Sequence, residues 1–210
     1  MHQAIVTGAI TGYAIALPIG AIAAYLISLT ARTSWRIGVP AALGVASTDG
    51  LYALLAAMGG AAIVGVLAPI QPVLNVVAAL LLLVVAGIGA RRGISEYRQH
   101  RNPQLATRPP SKLTPLRAYG SLIALTAVNP ATVVYFSAVV LGNTVISQLP
   151  TLDRLIFALS VFVASASWQV VVALSGAALG HVVDGPRGRL VTAMVSSALI
   201  VGLAGWTVLS

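Results

Sequence analysis

Charge is what this chain has least of. Of its 210 residues only 8% are charged, against 58% hydrophobic, and the mean hydropathy is +0.96. A soluble domain carries roughly a quarter charged residues, so a water-facing surface all round is excluded. Cysteine is absent, which excludes disulfides, thiolate metal sites and thiol redox chemistry. The three histidines, His2, His100 and His181, stand far apart and outside the apolar segments, so they form no metal-ligand spacing. No metal and no cofactor is expected. The start (Met1, His2, Gln3) lacks the basic flank of a signal peptide, since the first basic residues are Arg32 and Arg36. The first apolar stretch is therefore expected to remain as a helix.

What is abundant is long apolar sequence. About 20 apolar residues cross a bilayer core as a helix, and six segments qualify: 4–29, 38–67, 73–90, 116–141, 155–179 and 190–209. The expected fold is all-α, a polytopic membrane protein of six transmembrane helices. Residues 1–90 form a first transmembrane half, 91–115 a basic cytoplasmic loop and 116–210 a second half. The loop, with Arg91, Arg92, Arg98, Arg101, Arg108 and Lys112 and with prolines at 103, 109 and 110, reads as an irregular solvated linker. It also suits anionic lipid headgroups, although a plain topology signal is the simpler reading.

The formal net charge of +8 would suggest nucleic acid in a soluble protein. Here no nucleic-acid partner is expected, because the basic residues follow topology. All but Arg154 of the twelve Lys and Arg residues fall in the first, third and fifth loops. Basic loops stay in the cytoplasm, so both termini are expected outside it, in a plasma (inner) membrane.

The two halves share a feature. Pro18 and Pro130 lie at similar depth in the first and fourth segments, each followed by a tyrosine, Tyr25 and Tyr135. Proline lacks an N–H and frees the carbonyl four residues earlier, here Ala14 and Thr126. Inside a membrane such a group needs a protein, water or ligand partner. Matched broken helices opening two halves are the sequence mark of inverted-repeat transporters, so a 3+3 inverted repeat with broken helices 1 and 4 is expected. Two ordinary proline kinks are the plainer alternative.

Asp49 is the single acid deep in an apolar segment, with no Lys, Arg or His at that depth. Burying it costs about 2.5–3.5 kcal/mol on insertion scales. It must keep its proton or meet a cation: a proton, a sodium ion or a cationic group of a solute. Simple hydrogen bonding of a protonated Asp49 to a neighbouring helix is the structural alternative. Gly38, Ala42, Ala46 and Gly50 recur every fourth residue beside it, a small-residue stripe that suits close helix packing. Thr126, Asn129 and Thr132 share a side of the fourth segment. Asn129 is placed to cap the half-helix that follows Pro130, whose positive end suits a carboxylate; the threonines more simply bond their own backbone. Trp168 and Gln169 sit mid-segment among Ser165 and Ser167, as core or as pocket lining. Tyr13, Tyr52 and Tyr135 are further pocket candidates, and Trp35 and Trp206 read as interface anchors.

With these residues placed, the chain resembles the LysE/RhtB family of amino-acid exporters. The stretch from Pro18 to Gly59, PIGAIAAYLISLTARTSWRIGVPAALGVASTDGLYALLAAMG, is similar to that family's opening: a Pro-Gly break, a short basic loop and a glycine-rich second helix with an Asp. LTAVNPATVVYF, Leu125 to Phe136, is similar to its Asn-Pro segment. Two positions depart: Ala21 where a second proline is common, and Ala131 where a lysine often follows Asn-Pro. The resemblance carries over Pro18, Gly20, Asp49, Asn129 and Pro130. It implies export of an amino acid or similar small zwitterion, coupled to proton or ion exchange, by a transporter and not an enzyme. The alternatives are an inorganic-ion or metal exporter of the same superfamily, an intramembrane enzyme, for which Asp49 has no acid or histidine partner, and a non-transporting membrane scaffold. Substrate- or ion-binding candidates are Pro18, Gly20, Asp49, Tyr52, Thr126, Asn129, Pro130, Trp168 and Gln169. The small-residue faces are compatible with a homodimer.

Overall fold

A computed structural model describes residues 1–18, 20–101, 113–129, 132, 135–136, 149–182, 190–191, 194–195 and 197–202. Among these residues all regular structure is helical. Helix α1 spans His2–Ala16 and α2 spans Ala21–Arg32. Helix α3 covers Trp35–Leu67 and, after a 3₁₀ turn at Ala68–Ile70, α4 covers Gln71–Arg101. Helix α5 runs over Pro115–Ala127 and α6 over Thr151–Val182. The stretch 91–101, expected in an irregular linker, is helical instead. Its arginines are good helix formers, and the first proline beyond them is Pro103.

Local chemistry sets the boundaries. Pro18 has no N–H to continue α1, and Gly20 takes an extended conformation (φ −99°, ψ −168°) before α2 begins. The two helices bend by 74° at that break. Helix α5 opens with Thr114, whose hydroxyl accepts the Arg117 N–H at 3.3 Å, and with Pro115 in the first turn. Pre-set proline φ and a side-chain cap are both favourable there.

Among the described residues two helices are long and apolar enough to cross a membrane, Trp35–Gly59 and Thr151–Gly180, and the bent pair α1/α2 makes a third if taken as one span. Their outward residues are large and apolar: Ile10 on α1, Leu51 and Leu55 on α3, Leu80 and Val84 on α4, and Leu159 and Val163 on α6 are all exposed. Such a surface matches lipid.

Glycines fix how the helices lie. A Cβ at Gly8 or Gly12 of α1 would stand 2.6 Å from the carbonyls of Phe157 and Val161 on α6, and one at Gly176 of α6 would stand 2.7 Å from the Ile27 carbonyl of α2. Gly180 meets Ala31 in the same way. Both segments thus run in the same sense as α6, inclined to it across the 74° bend, in an unchanged register from one side of the break to the other. A re-entrant loop would reverse its direction there, so α1 and α2 follow one continuing path. Gly44 of α3 meets the Tyr119 carbonyl of α5, and Thr48 and Tyr52 reach Ile123 and Ala127, so α3 and α5 are also parallel. Helices α3 and α6 cross antiparallel, with Asp49 against Ser165 and Gly50 against Phe162.

Two apolar clusters form the interior. One gathers Leu26, Ala42, Val45, Leu122, Leu125, Val172 and their neighbours. The other gathers Ala4, Ala53, Ala57, Phe136, Phe157 and Val161. Between Val45 and Ala53 on α3, and between Val161 and Val172 on α6, lie the buried polar residues Thr48, Asp49, Ser165 and Gln169. A polar layer therefore separates two hydrophobic ones.

Candidate functional site in the polar layer

Asp49 is 2% exposed and faces packed helices, as its place beside the small-residue stripe predicts. Ala42 and Ala46 of that stripe are fully buried. The Ser165 hydroxyl donates to Asp49 Oδ2 at 2.6 Å, joining α3 to α6. Among the described residues no basic side chain forms an ion pair with Asp49; the Met1 ammonium meets Asp153 at 2.9 Å at the exposed start of α6. A buried carboxyl bonded to a hydroxyl, with no counter-ion, is ready to exchange a proton or to accept a cation.

Among the described residues four buried polar atoms lack a protein partner: Ser28 Oγ, Thr126 Oγ1, Trp168 Nε1 and Gln169 Oε1. Native interiors leave few such groups, and each calls for a reason. Gln169, 5% exposed, lies one helical turn beyond Ser165 on the same face of α6. Thr126 is 1% exposed. Its hydroxyl does not take the local backbone bond expected of an intramembrane threonine. Its carbonyl, freed by the following proline, accepts the Asn129 N–H at 3.1 Å, which answers the need for a partner there.

The remaining candidates fall into three places. Pro18 and Gly20 form the bend between α1 and α2. Pro18 is exposed, while Gly20 is half-buried before open space, with no atom within 4 Å of where a Cβ would stand. Tyr52 donates to the Ala127 carbonyl at 2.6 Å, tying α3 to the last residue of α5. Asn129 donates from its side-chain amide to Thr132 Oγ1 at 3.2 Å, and its carbonyl takes the Thr132 N–H at 3.1 Å. Pro130, like Trp206, lies outside the described residues. Tyr13 meets the Ser167 hydroxyl at 2.9 Å on a more exposed surface, and Tyr135 makes an edge contact with Phe136.

Ser165, noted in the sequence only as a neighbour of Trp168 and Gln169, is the side chain that meets Asp49. Serine is common in membrane helices, but Ser165 occupies the same position from the start of α6 as Asp49 does from the start of α3. That equivalence appears only once the helix starts are fixed. Among the described residues no group of three or more His, Asp or Glu is disposed to hold a metal ion.

A family model for the LysE type translocator matches residues 13–210. The chain belongs to the LysE-type translocator family. Neither a curated protein nor a solved structure matches it. Membership makes the chain a membrane translocator, in agreement with the lipid-compatible helices, and places it in a family of transporters. The match covers both the Pro18–Gly59 stretch and the Asn129-Pro130 segment on which the resemblance rests.

Proposed function

We propose that this translocator is a secondary active exporter of an amino acid or a similar small zwitterion across the plasma membrane, coupled to exchange of protons or ions. Asp49 is the observation that carries the reading. A solute ammonium, a coupling cation or a proton is what a buried carboxyl without a counter-ion lacks, and Gln169 Oε1 adds an uncommitted acceptor on the same side of α6. The Thr126 hydroxyl and the positive end of α2 at Gly20 suit a carboxylate. Tyr52, Asn129 and Trp168 complete the lining, with Pro18 and Pro130 creating the breaks. An exporter of soft metals is disfavoured because the chain has no cysteine and no histidine within its apolar segments.

The proposed frame has six spans, with both termini outside the cytoplasm, residues 91–115 as its cytoplasmic connection and three spans per inverted half. Several relations support the inverted repeat. Helices α3 and α6 are 33 and 32 residues long and cross antiparallel, with Asp49 and Ser165 at equivalent positions. In a repeat related by a two-fold axis in the membrane plane, that hydrogen bond lies on the axis. Helices α1 and α5 each end on an alanine just before a break, Ala16 and Ala127, and each runs parallel to the long helix of the other half. Partners in this frame are the lipid bilayer, with anionic headgroups at the basic connection, and a second copy of the chain, which would have to use another face because the small-residue stripe of α3 is buried within the chain. The deciding experiment is counterflow: purified protein in liposomes preloaded with single unlabelled amino acids should accumulate the labelled form of its own solute. Absence of counterflow with any amino acid or related zwitterion would overturn the substrate class.

A further inference from the structure

The two halves are not in the same condition, and the difference falls on one pair of residues. Tyr52 follows Asp49 by three residues on α3, and Trp168 follows Ser165 by three residues on α6. Since Asp49 and Ser165 are equivalent positions, Tyr52 and Trp168 are equivalent too. Each carries one donor at the end of a flat aromatic body. The Tyr52 hydroxyl is engaged, donating at 2.6 Å to the carbonyl of Ala127, the last residue of α5 before the Asn129-Pro130 break. The Trp168 indole N–H is buried and has no partner, although Trp168 packs in the same cluster as Ala21 and Ile22, directly after the other break. A buried indole N–H ordinarily finds an acceptor. The counterpart of Ala127 is Ala16, the last residue of α1 before Pro18, and the shared register of α1, α2 and α6 keeps that break alongside Trp168.

We propose that Tyr52 and Trp168 are paired latches on the two helix breaks, engaged in alternation. In the conformation described here Tyr52 holds the break after α5 and Trp168 is released. In the opposite-facing conformation the Trp168 N–H donates to the Ala16 carbonyl and Tyr52 lets go of Ala127. In an inverted repeat one half moves against the other about a fixed site, so a bond between the halves that is made at one break and missing at the other marks where the alternation takes place. Tyr52 and Trp168 are positioning residues in this scheme, acting through the breaks they hold. The inference rests on the inverted-repeat reading and not on the identity of the solute.

The test needs no solute. Because the natural chain lacks cysteine, a single cysteine at Gly20, or in a second variant at half-buried Val128, reports how open each break is to a thiol reagent in the purified protein. Tyr52→Phe removes the engaged latch alone. It should raise the modification rate at Val128→Cys and lower the rate at Gly20→Cys, each by about 2- to 10-fold, the equilibrium weight of one net hydrogen bond. Adding Trp168→Phe should bring both rates back toward their starting values. Rates that rise together, as in a loosened fold, would overturn the proposal. So would unchanged rates, or a Tyr52→Phe shift that survives in the double variant. The Val128→Cys arm decides by itself if Gly20→Cys does not fold. A failed counterflow with intact opposing shifts would remove the proposed solute and leave the latches standing.

Discussion

A methyl group added at Gly12 should damage the protein, while the same methyl at Gly20 should not. At Gly12 the new Cβ would stand 2.6 Å from the Val161 carbonyl oxygen, 2.8 Å from Ala164 Cβ and 3.1 Å from Val161 Cα. None of these atoms can rotate aside, since two belong to the backbone and one is a Cβ. Helix α1 must then back away from α6 by several tenths of an ångström, against an interior packed at near-crystalline density. Overpacking of this kind costs about 1–3 kcal/mol. At Gly20 the space is open, and φ −99° with ψ −168° is extended backbone that alanine adopts freely. Gly20→Ala should therefore be neutral or stabilise by about 0.4–1 kcal/mol through the unfolded chain. Unfolding of both variants in mild detergent, followed by circular dichroism, should give a lower midpoint for Gly12→Ala and an equal or higher one for Gly20→Ala. A Gly12→Ala protein as stable as the parent would refute the register of α1 on α6, and with it the single continuing path of α1 and α2.

Cysteines at Gln71 and Gln148 should react with an impermeant reagent in intact cells, and one at Gln104 should react only after lysis; labelling of Gln104 in intact cells would overturn the orientation. Thr126→Val keeps shape and removes a hydroxyl without a protein partner, so the unfolding midpoint should hold or rise while transport falls, and unchanged transport would take Thr126 out of the site. Asn129→Ala removes the bond to Thr132 and should lower the transport rate by a larger factor than it lowers stability, compared by initial-rate flux and thermal unfolding of the same preparation.

Much of this was legible in the sequence because the chemistry is local. Pro18 lacks an amide hydrogen, so a break near it was predictable from one residue. Asp49 advertised itself by cost, being an acid where charge is expensive, and the glycine and alanine spacing around it gave its inward direction. The end of α4 was less legible: the arginines that read as loop by charge are also helix formers, and the helix continues through Arg101. Partners across helices were not legible at all. Nothing in the fifth apolar segment singles out Ser165 over Ser167, because the choice depends on how α6 is rotated against α3. Nor does threonine chemistry alone reveal that Thr126 leaves its hydroxyl without a partner. The match of Tyr52 with Trp168 appears only once the helix starts are fixed.

Asp49 is proposed to take charge through the transport cycle, alternating between a proton and a cationic group. Asp49→Asn keeps the size of the side chain and an oxygen for the Ser165 hydroxyl, but cannot ionise. The decisive measurement is export of the solute identified by counterflow, driven by an imposed pH gradient in proteoliposomes, for parent and variant side by side. Asp49→Asn should fold with the parent's unfolding midpoint and lose net pH-driven transport. Full pH-driven export by Asp49→Asn would contradict it and leave Asp49 as a packed, hydrogen-bonded residue between α3 and α6.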